Sequence, residues 1–368
     1  MPVHIATAIR SPFSPVEGSL ADWHPVDLTA EMMNLAIGTH QIDEVFVGCA
    51  EPVGAQGANM ARASILAAGW DDRIGGTVVE RAETSGTAAL HAAAAAITSG
   101  QITCALVVGI CSASLVQPGA SALARTYGRP WGDGPANRLE DEGGLLPSPA
   151  AADRSARNSG ISRGAQDEWA IGSHERRALM ASDAIAPIAA RPGDRVALQR
   201  GTPISADDPR DRPDDPAALP PSFDPEGDVT GFTFAPPADG AVAIILTNEP
   251  TSGPEVLGIG RAAGHPLDPV GGLGAAVGRA LGSHSAADVA RWELTETTAA
   301  AALLAIQRLD LDPALVNQAG GTLGVGDAGA AEELRLLVDG ASHAQAGELV
   351  LTAAFGLNGA AATLVRCP

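Results

Sequence analysis

Thr77-Val-Val-Glu-Arg-Ala-Glu-Thr-Ser-Gly-Thr-Ala-Ala-Leu90 is the stretch on which both the fold and the chemistry turn. It places a carboxylate, Glu83, just ahead of an alanine-rich helix over residues 87–98, which Gly100 closes. The apolar strand Cys104-Ala-Leu-Val-Val-Gly109 follows. Upstream, residues 3–9 read as a strand, residues 27–38 have helical spacing, and Ile42-Asp-Glu-Val-Phe-Val-Gly48 reads as the next strand. Strand, helix and strand in this order predict a parallel α/β arrangement.

A chain of 368 residues has room for two or three domain-sized units. Aromatics make up only 3% against 45% hydrophobic residues, so the core must be built from Ala, Val, Leu and Ile. The formal net charge of -20 argues against nucleic acid as a partner, because phosphates need Lys and Arg, and against anionic membrane surfaces. All 23 basic residues are Arg, which excludes Schiff-base chemistry and a lysine general base. Cys49, Cys104, Cys111 and Cys367 show no CxxC or Cys/His ligand spacing, so no metal site is expected. The first residues lack the basic-then-apolar order of a signal peptide, and no apolar run nears the roughly 20 residues that span a bilayer. A cytoplasmic location is the expectation.

Several motifs resemble the thiolase family, in the family's order. Thr77–Leu90 is similar to "V-N-K-V-C-G-S-G-L-K-A-V", with Glu83 at the nucleophilic cysteine. Gly54-Ala-Gln-Gly-Ala-Asn-Met-Ala-Arg62 resembles "Q-A-G-Q-G-Q-N-P-A-R", and residues 158–177 resemble "Y-G-I-S-R-E-E-Q-D-x-F-A-x-x-S-H-Q-R". Trp292-Glu-Leu-Thr-Glu-Thr-Thr-Ala299 is similar to "W-E-I-N-E-A-F-A", and residues 320–331 to "G-G-A-I-A-L-G-H-P-I-G-A". Ala354-Phe-Gly-Leu-Asn-Gly359 resembles "C-I-G-G-G-Q". The resemblance implies two similar βαβαβαββ halves in a five-layered α/β/α/β/α body. Residues 1–111 and 222–248 would form the N-terminal half, 112–221 a lid that covers coenzyme A in the family, and 249–368 the C-terminal half.

The family's chemistry rests on a nucleophilic Cys, a His in the G-H-P segment, a second Cys near the C-terminus and an Asn in the N-E-A-F segment. Matched position by position, this chain offers Glu83, Asp327, Ala354 (Ala353 if the match slips by one) and Thr295. Two coenzyme A contacts of the family fall on Ala235 and Ser148, both changed here. Each loss alone would cost about two to four orders of magnitude in rate at an acyl-transfer site. Gly264-His265-Pro266 spells the family tripeptide but precedes Trp292, on the wrong side of the second half's helical segment. His91 and His174 fall on helices, and His174 matches a lid position that is not catalytic.

If the resemblance holds, Glu83 and Asp327 face one pocket from opposite halves. Two carboxyls in a partly dry site cannot both ionise cheaply, so one keeps its proton. Glu83 begins a helix, whose N-terminus favours its anion by roughly 0.3–1 kcal/mol, which leaves Asp327 as the proton carrier. The alternative is that Glu83 caps its helix and pairs with an Arg such as Arg81. Thr84, Ser85, Thr295 and Asn358 could hydrogen-bond under either reading. Three functions follow from the resemblance. The first is an acyl-CoA-associated thiolase-like protein of lipid metabolism without Claisen or thiolytic activity, needing no cofactor and taking a coenzyme A thioester as ligand. The second is an acyl-CoA lyase, retro-aldolase or decarboxylase, using Glu83 and Asp327 as acid and base, with a small OB-fold partner. Lyase relatives depend on tyrosines, and this chain has only Tyr127. The third is a conventional acetyl-CoA acetyltransferase. A homodimer or dimer of dimers is expected, pairing through the strand at residues 104–109 and its neighbours, or a hetero-oligomer with a Cys-bearing thiolase.

Overall fold

The computed structural model describes residues 1–123, 132–179, 183–189 and 204–368; Tyr127 lies outside them. The first half runs β1 (His4–Arg10), β2 (Ser14–Pro15), α1 (Pro25–Ala36), β3 (Glu44–Gly48), α2 (Met60–Ala67), β4 (Gly75–Val79), α3 (Ser85–Thr98) and β5 (Cys104–Ser112). Helices α4 (Ser148–Asn158) and α5 (Arg163–Leu179) follow, and β6 (Ala238–Thr247) returns to the first sheet. The second half runs β7 (Glu255–Ala262), α6 (Leu273–Leu281), β8 (Val289–Leu294), α7 (Ala299–Leu309), α8 (Gly329–Ser342), β9 (Leu349–Gly356) and β10 (Gly359–Arg366).

The strands lie in the order β4-β3-β5-β6-β1-β7-β10-β9-β8. β3 is parallel to both β4 and β5, as the strand–helix–strand reading predicts. The two halves' sheets meet through one register pair, His4 with Glu255. Side-chain alternation divides the core into layers. In β5, Leu106, Val108 and Ile110 face α1 and α2, whereas Ala105 and Val107 face α3 and α8. In β9, Leu351, Ala353 and Phe355 join an outer core with α5, α6 and α7, and Val350 points to the central helices. Outer helices, sheet, central helices, sheet and outer helices make the five layers. Small residues permit this stacking: a Cβ on Gly86 of α3 would collide with the Ala330 carbonyl oxygen of α8.

Three expectations change. The strand at residues 104–109 is not an exposed pairing strand, because β5 hydrogen-bonds β3 on one side and β6 on the other and is apolar on both faces. Among the described residues the free edge of the first sheet is β4. The third strand of the second half shrinks to a single bridge, Trp292 with Val316. Pro313 starts a 3-10 turn there and Asn317 has φ 48°, so the extended run stops after one residue. Helix α3 begins at Ser85, two residues before the expected start. Among the described residues no helix is long and apolar enough to cross a membrane.

Candidate active site

Between β4 and α3 the chain makes a tight 3-10 turn, Ala82–Thr84. Ala82 takes a left-handed conformation (φ 45°), which a non-glycine residue holds only where its surroundings fix it. The Glu80 carboxylate accepts from Ala82 N at 2.7 Å, and the Ser85 hydroxyl both accepts from Arg81 N and donates to Ala82 O at 2.8 Å. This turn presents Glu83, half-buried, to the second half. Its side chain lies across Gly356, where a Cβ would sit 2.7 Å from the Glu83 Cδ, so only glycine leaves room. Asn358, in the turn between β9 and β10, donates from Nδ2 to Glu83 Oε2 at 2.9 Å.

Asp327 comes from the segment that leads into α8. Its backbone N donates to Pro236 O at 2.8 Å and its carbonyl accepts from Ala238 N at 2.9 Å, which pins it beside the start of β6. Asp327 Oδ1 accepts from Gly329 N at 2.8 Å. Burial pushes the Asp327 carboxyl above the usual carboxylate range, the Gly329 hydrogen bond opposes this, and the Glu83 charge adds to it. Ala354 is buried, and strand alternation turns it to the same face of β9 as Gly356, away from Ala353. Glu83 thus touches Asn358 and acts on Asp327 through its charge, and Ala354 shares a strand face with Gly356, on which Glu83 lies.

Three further expected residues, Thr295, Ala235 and Ser148, are engaged by backbone contacts or sit at a helix start. Thr295 donates from its backbone N to Ala353 O at 3.1 Å and accepts from Phe355 N at 3.4 Å, so it buttresses β9. Ala235 is buried in the outer core and donates to Thr297 O at 3.0 Å. Ser148 is the half-buried first residue of α4.

The helix N-terminus belongs to another acid. Glu333, on α8, accepts from Gly86 N at 3.2 Å and Thr87 N at 2.7 Å, occupying the donors expected for Glu83. Burial pushes it up to about 8 despite these bonds. In sequence it is one of four charged residues, with Glu332, Arg335 and Asp339, in the helix Gly329–Ser342. Nor does Arg81 pair with Glu83: it donates to Thr84 Oγ1 at 2.8 Å and Ala360 O at 3.4 Å. Among the described residues no three or more His, Cys, Asp or Glu side chains gather in a way that could hold a metal ion.

The family model "Thiolase, N-terminal domain" matches residues 3–250, about two thirds of the chain. The chain belongs to the thiolase family. It is 30% identical to the beta-ketoadipyl-CoA thiolase of Pseudomonas putida over 275 residues, covering 67% of this chain and 66% of that one. It is also 30% identical to an acetyl-CoA acetyltransferase of Escherichia coli strain K12 over 260 residues, covering 67% and 65%. The matched stretch therefore spans just under two thirds of these relatives' length. The Acat5 thiolase of Ascaris suum, solved in complex with coenzyme A, superposes with a TM-score of 0.82 over the full length of both chains at 23% identity, which shows a shared thiolase fold.

Within that fold, none of the histidines and thiols described next takes the place of the changed residues. His265 lies at the surface, with Nε2 3.3 Å from Glu142 Oε2. His174 stacks on Phe232 at 5.0 Å, and burial with the Arg210 and Arg212 charges pushes it down to about 4. His91 is buried against Thr363 Oγ1 at 3.0 Å and falls to about 3. Cys111 lies nearest the acids, its Sγ 3.7 Å from where a Gly329 Cβ would stand. Burial, Asp327 and Asp239 raise its thiol well above the ordinary value, so it stays protonated and weakly nucleophilic. Cys49, Cys104 and Cys367 are buried and raised to about 11.

The Glu83 charge is expected to act on Asp327 through stability. An acid whose folded pKa is raised loses stability as pH climbs above its unfolded value, since the unfolded chain ionises first. Glu83→Gln keeps an acceptor for Asn358 and removes the charge. The variant is expected to match the wild type near pH 4 and to gain about 0.5–1 kcal/mol by pH 8. Denaturation midpoints across that range check it; a variant that is weaker at pH 8 than at pH 4 would mean Glu83 is an ionised structural anchor.

Proposed function

We propose that this thiolase-family protein binds a coenzyme A thioester but does not run cysteine-based Claisen condensation or thiolysis. The observation that carries the reading is Glu83 at the nucleophile position, held by Asn358 and placed against Gly356. A thiolate attacking a thioester forms a new thioester, whereas a carboxylate would form an anhydride, far more labile and no store for an acyl group. The thioester ligand is supported by the names of the relatives and by the coenzyme A complex of the Ascaris protein. We take residues 1–111 with 222–248, 112–221 and 249–368 as its three units, and a cytoplasmic homodimer or dimer of dimers as its state.

The raised Asp327 favours a second reading, a lyase of acyl-CoA adducts. Asp327, its carboxyl raised by burial, and Glu83 place two carboxyls across one site, the residue types that retro-aldol cleavage or decarboxylation uses as acid and base. A small OB-fold protein or a Cys-bearing thiolase would be the partner to seek.

Calorimetric titration with acetyl-CoA and longer acyl-CoAs tests the ligand assignment. Saturable binding at micromolar to millimolar concentration is expected. No heat and no change in melting temperature with any acyl-CoA would leave a scaffold without a thioester site.

A further inference from the structure

Arg81 and Arg261 act on each other as like charges, with Glu333 opposing at Arg81 but forming no ion pair with it, in a chain whose acids outnumber its bases 43 to 23. Gly258 and Gly260 of β7 turn their missing Cβ positions against the α6 backbone, so Arg261, between Gly260 and Ala262, projects from the opposite face, toward α3. There Arg261 is exposed and lies opposite Ala361 in the β10 register. The Arg81 guanidinium reaches the same corner. Nη1 meets Ala360 O at 3.4 Å, and Nη2 lies 3.3 Å from where a Gly359 Cβ would stand. Beyond Glu255, this edge of β7 meets no strand of the first sheet among the described residues, so the corner opens to solvent.

The nearby carboxyls are engaged elsewhere: Glu80 with Ala82 N, Glu83 with Asn358, and Glu333 with Gly86 N and Thr87 N. Neither arginine has an ion-pair partner among the described residues. His91, pushed down to about 3, is neutral and adds no third positive charge. Burial, then the Arg261 charge, weakens the hold of Arg81 on its proton, and Glu333 partly opposes this. Like charges that act on each other cost free energy that an anion bound near both would return. A guanidinium binds carboxylate or phosphate through charge-assisted hydrogen bonds.

We propose that Arg81 and Arg261 bind an anionic group of the ligand, and that for an acyl thioester this group is a carboxylate at the far end of the acyl chain. Arg81 stands two residues from Glu83, which puts this anion site beside the candidate active site. The second clause rests on the coenzyme A thioester reading above; the anion site itself does not.

The test compares butyryl-CoA with succinyl-CoA, which have the same chain length and differ in one carboxylate, and adds free succinate and inorganic phosphate. The full chain, Arg81→Met and Arg261→Gln are titrated in parallel, with light scattering on each. Succinyl-CoA is expected to bind the wild type at least about tenfold more tightly than butyryl-CoA, and either substitution is expected to remove most of that advantage. If no acyl-CoA binds but succinate or phosphate raises the melting temperature of the wild type and not of Arg261→Gln, the anion site stands and the thioester reading falls. If both thioesters bind equally to all three proteins, the proposal is overturned and the thioester reading survives. A change of oligomeric state in Arg261→Gln, with unchanged ligand preference, overturns it in favour of a contact between copies. Arg261 is exposed, so that variant keeps the test open if Arg81→Met fails to fold.

Discussion

Asp339→Ala is expected to lower the unfolding free energy by about 3–5 kcal/mol. Asp339 sits on α8 and gathers three arginines from three parts of the chain. Its Oδ1 accepts from Arg10 Nε of β1 at 3.1 Å. Its Oδ2 accepts from Arg335 Nη1 at 2.8 Å and from Arg177 Nη1 of α5 at 3.5 Å. Asp207 binds Arg10 and Arg177, and Glu332 takes Arg335 in a two-pronged pair at 2.7 Å on each prong. Three guanidinium groups thus meet three carboxylates, with Arg10 and Arg335 fully buried. Removing one acid leaves a buried positive charge unmatched, and at the same time unfastens β1 and α5 from the second half. An exposed pair such as Asp71 with Arg73 is screened by solvent and contributes little, so Asp71→Ala is the control. Denaturant unfolding of the two variants decides the matter; a loss below about 1 kcal/mol for Asp339→Ala would mean the network is not what joins these segments.

Glu293→Gln is expected to stabilise the fold at pH 8 by roughly 3–5 kcal/mol more than it does at pH 4.5. Glu293, on β8, is 1% exposed and packs on Gly340 of α8, and its Oε1 has no hydrogen-bond partner among the described residues. Burial pushes the carboxyl up to about 8 against the pull of Arg335 and Arg291, with Asp339 and Glu296 adding to the rise. Folded protein therefore keeps a proton that the unfolded chain gives up from about pH 4.5. The unfolded state binds fewer protons across this window, so wild-type stability falls as pH rises and levels off above about 8. Gln copies the neutral carboxyl and cannot ionise, which removes that slope. Glu333 contributes a parallel slope, because its carboxyl also rises to about 8. Equal effects of Glu293→Gln at pH 5 and pH 8 would show that Arg335 and Arg291 keep Glu293 ionised in the folded state.

These networks were the least legible part of the sequence, for a physical reason. Strands β3 and β5 and helices α1 and α3 could be read because their signal is local: apolar runs, helical spacing, Gly100 at a helix end. Glu83 and Asp327 could be aligned because motifs flank both. The acid cap on α3, by contrast, comes from Glu333, 247 positions away from Gly86, and nothing beside Gly86 marks it. Arg10 directly follows the strand read at residues 3–9, but its partners Asp207 and Asp339 lie in segments that only the folded chain brings together. The strand at residues 104–109 misled for a related reason. An apolar run buried on both faces looks the same in sequence whether its edges are free or paired, and here β6 arrives from beyond residue 237 to pair it. The missing third strand of the second half left a clue in Asp312-Pro313, where proline withholds a ladder donor.

The acid pair in place of cysteine and histidine is the centre of the account, and thiolysis tests it most directly. Purified full-length chain is mixed with acetoacetyl-CoA and free coenzyme A, and loss of the acetoacetyl thioester is followed. The account predicts no cleavage above background, and none restored by Glu83→Cys, because Asp327 and Ala354 still leave the thiol without its base and acid. Turnover by the wild type in the ordinary enzymatic range of about 1 to 1,000 per second would contradict it and place a nucleophile elsewhere in this fold.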